Sequence, residues 1–560
     1  MDREVIYKDT DVLIVGGGIA GCMAGIRARE LGVRATVLEK GNSLRSGGAA
    51  TGIDHCWTYI PEIHGKMLSV EDLVDDHADF AGGMIDRSLV RMIAENSYSR
   101  VLDLERFGME MRDSNGQFRL IKKIHRSPTF LHFAGRDLKV KLTNEAKKRG
   151  AAIDNRMMAT DLLVEDGRIA GALALSTREG RWYVYRSKTV IISTGGVFRL
   201  YRNFSGMPFN TSHPPHEPGD GHAMAFRAGA RLLNMELVNV HTGPKNFNRA
   251  GRGSFVPGLM RDGLGQPLGK AGARDQKALD RTAEGVGLYR KILETGQGPI
   301  YMDCTGNTPE QNKYIRWALY NEGNTSFLNY LDEEGIDLNK DLIEFTVYEP
   351  KMNGGQSGIE INTRCESSLP GLLAAGDVIG GMKRAVCPGA LVTGWAAGEN
   401  AALMSRELPA VKPGARSAAT IRQRVDLASS FLAREQGSSW LEAQLALQNI
   451  MDYYAGRVKS ASLLGAGLSN ILSLREQAVA EIKASNSHEL YRAMEILSLI
   501  DVGEMLITAS YSRKESRGID FCRADYPQQD NENWLKFIIL RKENSRTVVE
   551  TRPVNLKQGS

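Results

Sequence analysis

Three glycines at positions 16, 18 and 21, within DVLIVGGGIAG (residues 11–21), carry the G-x-G-x-x-G spacing that lets a main chain close around a pyrophosphate. Gly16 permits a tight turn, Gly18 lets the backbone approach a phosphate, and Gly21 allows a helix to pack against the preceding strand with its positive end toward the anion. The next β-prone run, RATVLEK, reaches Glu39 at 39 − 21 = 18 residues beyond Gly21. A carboxylate there, with Lys40 beside it, can accept hydrogen bonds from an adenosine ribose. Together these residues specify a dinucleotide, a fingerprint that FAD and NAD share.

Arginines stand at 249, 252 and 261 in NRAGRGSFVPGLMRDG (248–263), and at 384 ahead of AVCPGALVTGWAAGENAA. Their planar forks suit carboxylate, phosphate or sulfate oxygens. His241, in VHTG, is either a ligand-facing group or a buried imidazole alternating with Val238 and Val240 in a half-buried strand. HPPHEPGDGH (213–222) holds three histidines interleaved with prolines, without the H-x-x-x-H of a helical metal site, so no metal is expected. The cysteines at 22, 56, 304, 365, 387 and 522 form no C-x-x-C pair, which argues against zinc, an iron-sulfur cluster or a redox dithiol in this chain.

These groups need a strand, turn and helix over residues 11–31, and further strands ending at VIISTGG (190–196) and LPGLLAAGDVIGG (369–381). The 560 residues exceed what one core accommodates, and the net charge of 71 − 66 = +5, with 42% hydrophobic residues, is that of a globular chain. No basic run or aromatic-basic stripe marks a nucleic-acid surface. Apolar stretches such as residues 11–28 are broken before the ~20 residues of a membrane span. MDREVIYKDT has neither an apolar segment nor a twin-arginine pair, which points to the cytoplasm. After LPAVKPGARS (408–417) the chain turns helical. The capping box Ser439-x-x-Glu442 opens a helix with Trp440, Ala443, Leu447 and Ile450 on one face, and Leu490, Ala493, Leu497 and Ile500 mark another.

Thr194-Gly195, Gly219-Asp220-Gly221 and Gly376-Asp377 resemble the discontinuous FAD-binding pattern of two-dinucleotide-fold flavoproteins. In that family the acidic residue after the late A-G binds the ribityl chain, a role that falls on Asp377. RSGGAATG (45–52), MELVNVHTG (235–243), TGQGPIYMD (295–303) and RKESRGIDFCRADYPQQDNENWLK (513–536) together resemble the fumarate reductase and succinate dehydrogenase flavoprotein family. Within it, RSGGAATG, DGLGQPL (262–268) and GQGPIYMD are similar to the α subunit of adenylylsulfate reductase. The resemblance runs over nearly the whole chain.

The resemblance implies an α/β fold, α+β overall, with a Rossmann-like FAD-binding domain (1–236 and 355–408), an inserted capping domain (237–354), a C-terminal helical domain (415–510) and a tail (511–560). Where succinate dehydrogenases have a histidine that holds FAD covalently, Arg45-Ser46 is followed here by Gly47, which implies noncovalent FAD. Residues 387–391 would open the helix that faces the flavin, bringing Ala390 and Leu391 to it. His241 and Arg384 match positions that bind and clamp a substrate carboxylate. Arg281 is the approximate counterpart of the proton-donating arginine, Arg261 would make the pocket more cationic, and His55 would lie near the isoalloxazine. The second histidine of dicarboxylate enzymes is missing from YEPKMNGGQSG (348–358), where Lys351 and Asn353 stand nearby. The expected function is a catalytic flavoprotein subunit that reduces an anionic small molecule by hydride transfer from flavin N5, with an iron-sulfur, ferredoxin-like partner. The alternatives are an adenylylsulfate-type enzyme working through a flavin-sulfur adduct, a non-catalytic electron-transfer subunit, and an oxidase.

Overall fold

The computed structural model describes residues 5–121, 125–247, 252–255, 257–270, 292, 294–409, 411–518, 520–544 and 546–554. Its centre is a five-stranded sheet in the order Leu372–Ala374, Thr189–Ile192, Val12–Val15, Ala35–Glu39, Ala152–Asn155. Every neighbouring pair in it is parallel. Val12–Val15 and Thr189–Ile192 are buried at every position, as unbroken apolar runs are in a sheet covered on both faces. The helices Ile19–Glu30 and Val386–Glu407 pack on each other above it. Gly394 and Gly398 make that contact possible, since a Cβ on either would fall 2.4 Å from a carbonyl oxygen of the first helix.

Residues between Val240 and Tyr348 build a separate antiparallel sheet in the order Thr242–Pro244, Leu342–Val347, Ile300–Asp303, Leu259–Arg261, Pro267–Lys270. The helices Pro309–Asn321 and Thr325–Glu333 accompany it, and Phe255, Met302, Leu319, Phe327 and Phe345 form its core. Beyond residue 411 come the helices Ala415–Ala433, Trp440–Tyr454, Ala461–Glu481 and Ser487–Ser512. The capping box forms: Ser439 Oγ accepts from the Glu442 amide at 3.2 Å, and the Ser439 amide donates to Glu442 Oε2 at 2.7 Å. Ala443 and Leu447 are buried while Trp440 and Ile450 are half-buried.

Ser487–Ser512 departs from the two-faced helix that the pattern predicts. It is buried on nearly all sides, including Arg492, Glu495, Asp501 and Glu504, so its polar residues face other parts of the protein and not water. The terminal hairpin Lys536–Glu543 and Arg546–Pro553 does not stand apart as a tail. Its first strand pairs with Leu232–Leu233, in a sheet shared with Gly358–Ile359. No helix among the described residues is long and apolar enough to cross a membrane.

Candidate active site

A cavity of about 720 Å³ opens above the C-terminal ends of the parallel strands, where ligands of such sheets bind. At one end the turn after Val15 takes Gly16 to φ +105°, and a Cβ there would lie 2.4 Å from the Ser193 carbonyl oxygen. A Cβ on Gly21 would lie 1.9 Å from the carbonyl oxygen of Gly16. A Cβ on Gly18 would meet nothing within 4 Å, because this residue faces the cavity at the helix N-terminus. The contrast gives a first prediction. Gly21→Ala will fail to accumulate as folded, yellow protein, whereas Gly18→Ala will melt like the parent and lose about tenfold in FAD affinity, read by fluorescence titration of the apoprotein.

Glu39 is buried and holds the turn together. Its Oε2 accepts from the Gly17 amide and from Ser46 Oγ, both at 2.9 Å, and its Oε1 accepts from the Gly41 amide at 2.6 Å. Arg45 is on the cavity wall and donates to the Arg136 carbonyl at 2.8 Å and to Asp137 at 2.7 Å. Gly47 stands at φ +79°, its Cβ position 3.2 Å from Gly18 Cα. Thr194, Gly195 and Asp220 line the opposite wall. Gly195 has φ +77°, and a Cβ on it would strike the Glu217 carboxylate at 2.2 Å.

Lys40 points across the cavity floor to Asp220 at 2.7 Å and to Glu495 at 2.6 Å. Burial pulls its ammonium down, but the two carboxylates outweigh burial and hold it above its ordinary value. Glu495 is fully buried on Ser487–Ser512 and also receives Arg199 at 2.6 Å and Arg492 at 2.8 Å. Desolvation would raise its carboxyl; the three cations drive it far below the usual range. Nothing in the sequence pattern signals this cluster, which ties the helix Ser487–Ser512 to the nucleotide end.

The other end of the cavity is walled by Asp377, Arg384, Ala390, His241, His55, Asn239 and Asn353. Gly376, at φ +79°, donates its amide N–H to Thr393 Oγ1 at 2.9 Å, which aims the Asp377 turn. Burial pushes the Asp377 carboxyl up, against a hydrogen bond from the Gly354 main chain and the charge of Lys351. Arg384 is held at φ +51°, and its carbonyl accepts the Trp57 indole N–H at 3.0 Å. The guanidinium lies 4.9 Å from the centre of the Phe80 ring. Burial lowers its pKa from the ordinary value, with Asp520 opposing. His241 enters from the separate antiparallel sheet region, and its carbonyl accepts from the Tyr348 amide at 2.8 Å. Asn239 reaches across to donate to both oxygens of Asn353, at 2.7 and 2.9 Å.

Not every expected residue reaches this cavity. Arg261 is absent from the wall: its Nε donates to Asp303 Oδ2 at 2.6 Å on the neighbouring strand, which engages the side chain as a cross-strand ion pair. Leu391 turns away and packs with Ile19 and Met23, leaving Ala390 as the helix residue on the wall. Arg281 and Arg249 lie outside the described residues, as does the side chain of Arg252. Lys351 does not stand in for the missing histidine, since its Nζ donates to Ser212 Oγ at 2.9 Å and contacts His213 Nδ1 at 3.2 Å. Asp54, His55 and Glu322 each bring a donor atom within 4.8 Å of the others. Asp54 hydrogen-bonds His55 directly, an acid–base pairing that the sequence did not disclose.

The wall fits a large polar cofactor. Asp220 Oδ1 and Thr194 Oγ1 are buried there without hydrogen-bond partners among the described residues, which a ligand's hydroxyls or amides would satisfy. Comparison with known proteins agrees. Residues 11–390 match the family model of an FAD binding domain, and residues 444–559 match that of the fumarate reductase flavoprotein C-terminus. The chain is 26% identical to a chain of the fumarate reductase (CoM/CoB) of Methanothermobacter marburgensis, over 96% of this chain and 97% of the relative. It is 26% identical to an L-aspartate oxidase of Yersinia pestis, over 93% and 96%. Among solved structures, adenylylsulfate reductase of Archaeoglobus fulgidus superposes with a TM-score of 0.86 at 22% identity, over 99% of this chain and 98% of that one. A quinol fumarate reductase chain from E. coli gives 0.81 at 20% identity, over 99% and 98%.

Proposed function

The chain belongs to the family of FAD-dependent oxidoreductases that unites fumarate reductase, succinate dehydrogenase and aspartate oxidase flavoproteins, and from that premise we propose that it reduces an anionic small molecule as the catalytic subunit of a larger enzyme. The observation that carries this reading is the shared cavity. Its one end has the glycine turn and Glu39, and its other end has Arg384 and His241, supplied by different parts of the chain. Gly16, Gly18, Glu39, Asp220 and Asp377 would hold FAD, which when bound supplies hydride transfer at N5.

Arg384 binds and orients the substrate anion. Its stacking on Phe80 and its fixed main chain leave the fork preorganised, so little is lost to rearrangement when the anion docks. His241 donates to a second oxygen of the same substrate from across the domain interface, where closure excludes water. Asn353, braced by Asn239, takes the place opposite, and a neutral amide there suits a bulkier or less charged group than a second carboxylate. That feature favours a second reading, an adenylylsulfate-type substrate. Electrons arrive from an iron-sulfur, ferredoxin-like subunit, because the six cysteines of this chain are free buried thiols with no C-x-x-C pair to hold a cluster.

The separating experiment is stopped-flow reoxidation of the photoreduced, anaerobic protein, with fumarate in one syringe series and adenylylsulfate in another. Fast reoxidation by fumarate supports the dicarboxylate reading, and reoxidation by adenylylsulfate alone supports the second. Rapid peroxide formation in air without either would mark an oxidase. Noncovalent FAD belongs to this reading, because Gly47 stands where the resemblance places the attaching histidine and has no side chain to attach it. Acid precipitation is expected to release essentially all flavin absorbance to the supernatant, and a fluorescent protein band on a denaturing gel would contradict this.

A further inference from the structure

We propose that Lys139 is the charge that makes the dinucleotide turn select a diphosphate: a positioning residue, it polarises the Gly17–Gly18 peptide unit from behind and gives the pyrophosphate of bound FAD a buried counter-cation. The proposal rests on FAD occupying the glycine end of the cavity and on nothing about the substrate. Lys139 lies in the first turn of the helix Leu138–Lys148, which packs against both the helix Ile19–Glu30 and the short turn Ser43–Arg45.

Its side chain is wholly buried. Nζ donates to the Gly17 carbonyl at 2.6 Å, to Thr143 Oγ1 at 3.1 Å and to Cys22 Sγ at 3.2 Å. An ammonium has three donors and no acceptor, and these three partners use all of them. The neighbouring hydrogen bonds run in the same sense. Thr143 Oγ1 spends its proton on the Ser43 carbonyl at 2.9 Å and so accepts from Lys139. None of the three partners is an anion, and no ion pair among the described residues includes Lys139, in contrast to Lys40, which Asp220 and Glu495 neutralise. A buried cation held only by neutral groups is costly, and an anion bound nearby offsets that cost.

The carboxylate of this turn, Glu39, sits on the Gly17 amide at 2.9 Å, so Gly17 is held between an anion on its N–H and a cation on its C=O. The Gly17 carbonyl and the Gly18 N–H belong to one peptide unit. A cation that draws electron density toward the carbonyl oxygen leaves that N–H more positive and a stronger donor. Nothing among the described residues accepts from the Gly18 N–H, and Gly18 lines the cavity at the start of the helix Ile19–Glu30, whose dipole has the same sign there. The Gly17 carbonyl does not depend on Lys139 for its own hydrogen bonding. Ser43 Oγ and Cys22 Sγ also donate to it, at 3.2 and 3.5 Å, so a turn without the ammonium keeps its shape and loses only the charge.

The test is calorimetric titration of the apoprotein with ADP, the part of FAD that brings the pyrophosphate, and with adenosine, which keeps the base and ribose without it, in the parent, Lys139→Met and Lys139→Gln. Both variants are expected to lose about tenfold in ADP affinity and to bind adenosine as the parent does. The apoprotein of Lys139→Met, in which an apolar chain of similar length replaces a buried charge, is expected to melt at the parent's temperature or above it, while the rise produced by FAD shrinks. A side chain that merely shaped the turn would weaken ADP and adenosine together and lower the melting temperature of the apoprotein. Either result, or a Lys139→Met chain that does not fold, overturns the proposal. Full ADP affinity in Lys139→Gln would make hydrogen bonding and not charge the operative property, and overturns it too. A parent that does not bind ADP would remove the FAD reading together with the proposal, whereas ADP binding that both variants keep in full removes Lys139 alone.

Discussion

Arg384→Ala is expected to retain its FAD and to be reoxidised by its anionic acceptor about 10²–10³-fold more slowly than the parent, the loss that follows when one preorganised charge-stabilising donor is removed from an active site. Three features of Arg384 set the size of this effect. Its main chain is already in the left-handed region at φ +51° and is fixed by the Trp57 indole, so the fork is held in place before substrate arrives. Its guanidinium lies on Phe80 and points into the cavity wall. Burial makes the charged form costly, and an anion in the cavity would offset that cost. Arg384→Lys restores charge without the two-pronged geometry and is expected to recover only part of the rate. Stopped-flow absorbance of the photoreduced protein reads both variants. Equal rates in Arg384→Ala and the parent would indicate a flavoprotein that passes electrons onward with no substrate of its own.

The second large effect is expected at Glu495, which touches no part of the proposed reaction. Glu495→Ala leaves Lys40, Arg199 and Arg492 facing one another with one carboxylate, Asp220, among them. Breaking a buried ion cluster by removing its anion costs about 3–5 kcal/mol, because the remaining charges stay desolvated. A fall in melting temperature on the order of 3–4 °C is the expected result, read by flavin fluorescence. Acid will imitate the mutation. The Glu495 carboxyl is depressed in the folded protein, so its contribution is complete above the unfolded-state value and is lost as pH falls through the folded one. Glu495→Gln keeps the shape and loses the charge; if it matches the parent in stability, the cluster is packing and not electrostatics.

The sequence discloses the nucleotide end because its glycines and Glu39 fall within one short strand, turn, helix and strand, residues 11–39. Gly21 is forced by a main-chain contact inside one turn, Glu39 reaches Gly17 from the adjacent parallel strand, and Gly16 is pressed from the other side by the Ser193 carbonyl. The Ser439–Glu442 cap is legible for the same reason. Partners brought from far along the chain leave no local trace. Arg261 fits a cationic pocket on paper, but Asp303 on the neighbouring strand, 42 positions away, claims it. Asp54 escapes notice beside His55 because consecutive residues in a strand face opposite ways; here the strand begins only at His55, and the bend before it lets the two side chains meet. The polar side of Ser487–Ser512 is hidden too, since apolar spacing does not reveal charges that are buried against other charges.

The bond from Lys40 to Glu495 spans 455 positions, and it has a bearing on how the protein is made. At ribosomal rates of about 5–20 residues per second, Lys40 emerges roughly 20–90 seconds before the carboxylate that neutralises it. For the first 372 − 40 = 332 positions of that interval the central sheet lacks Leu372–Ala374, the strand that leads into Gly376 and Asp377. The nascent chain therefore has a phosphate-binding turn long before it has a floor or a far wall beneath the rest of the cofactor. FAD loading belongs to the end of synthesis, and a chain released before its last long helix would leave the ribosome colourless, however well its first domain had formed.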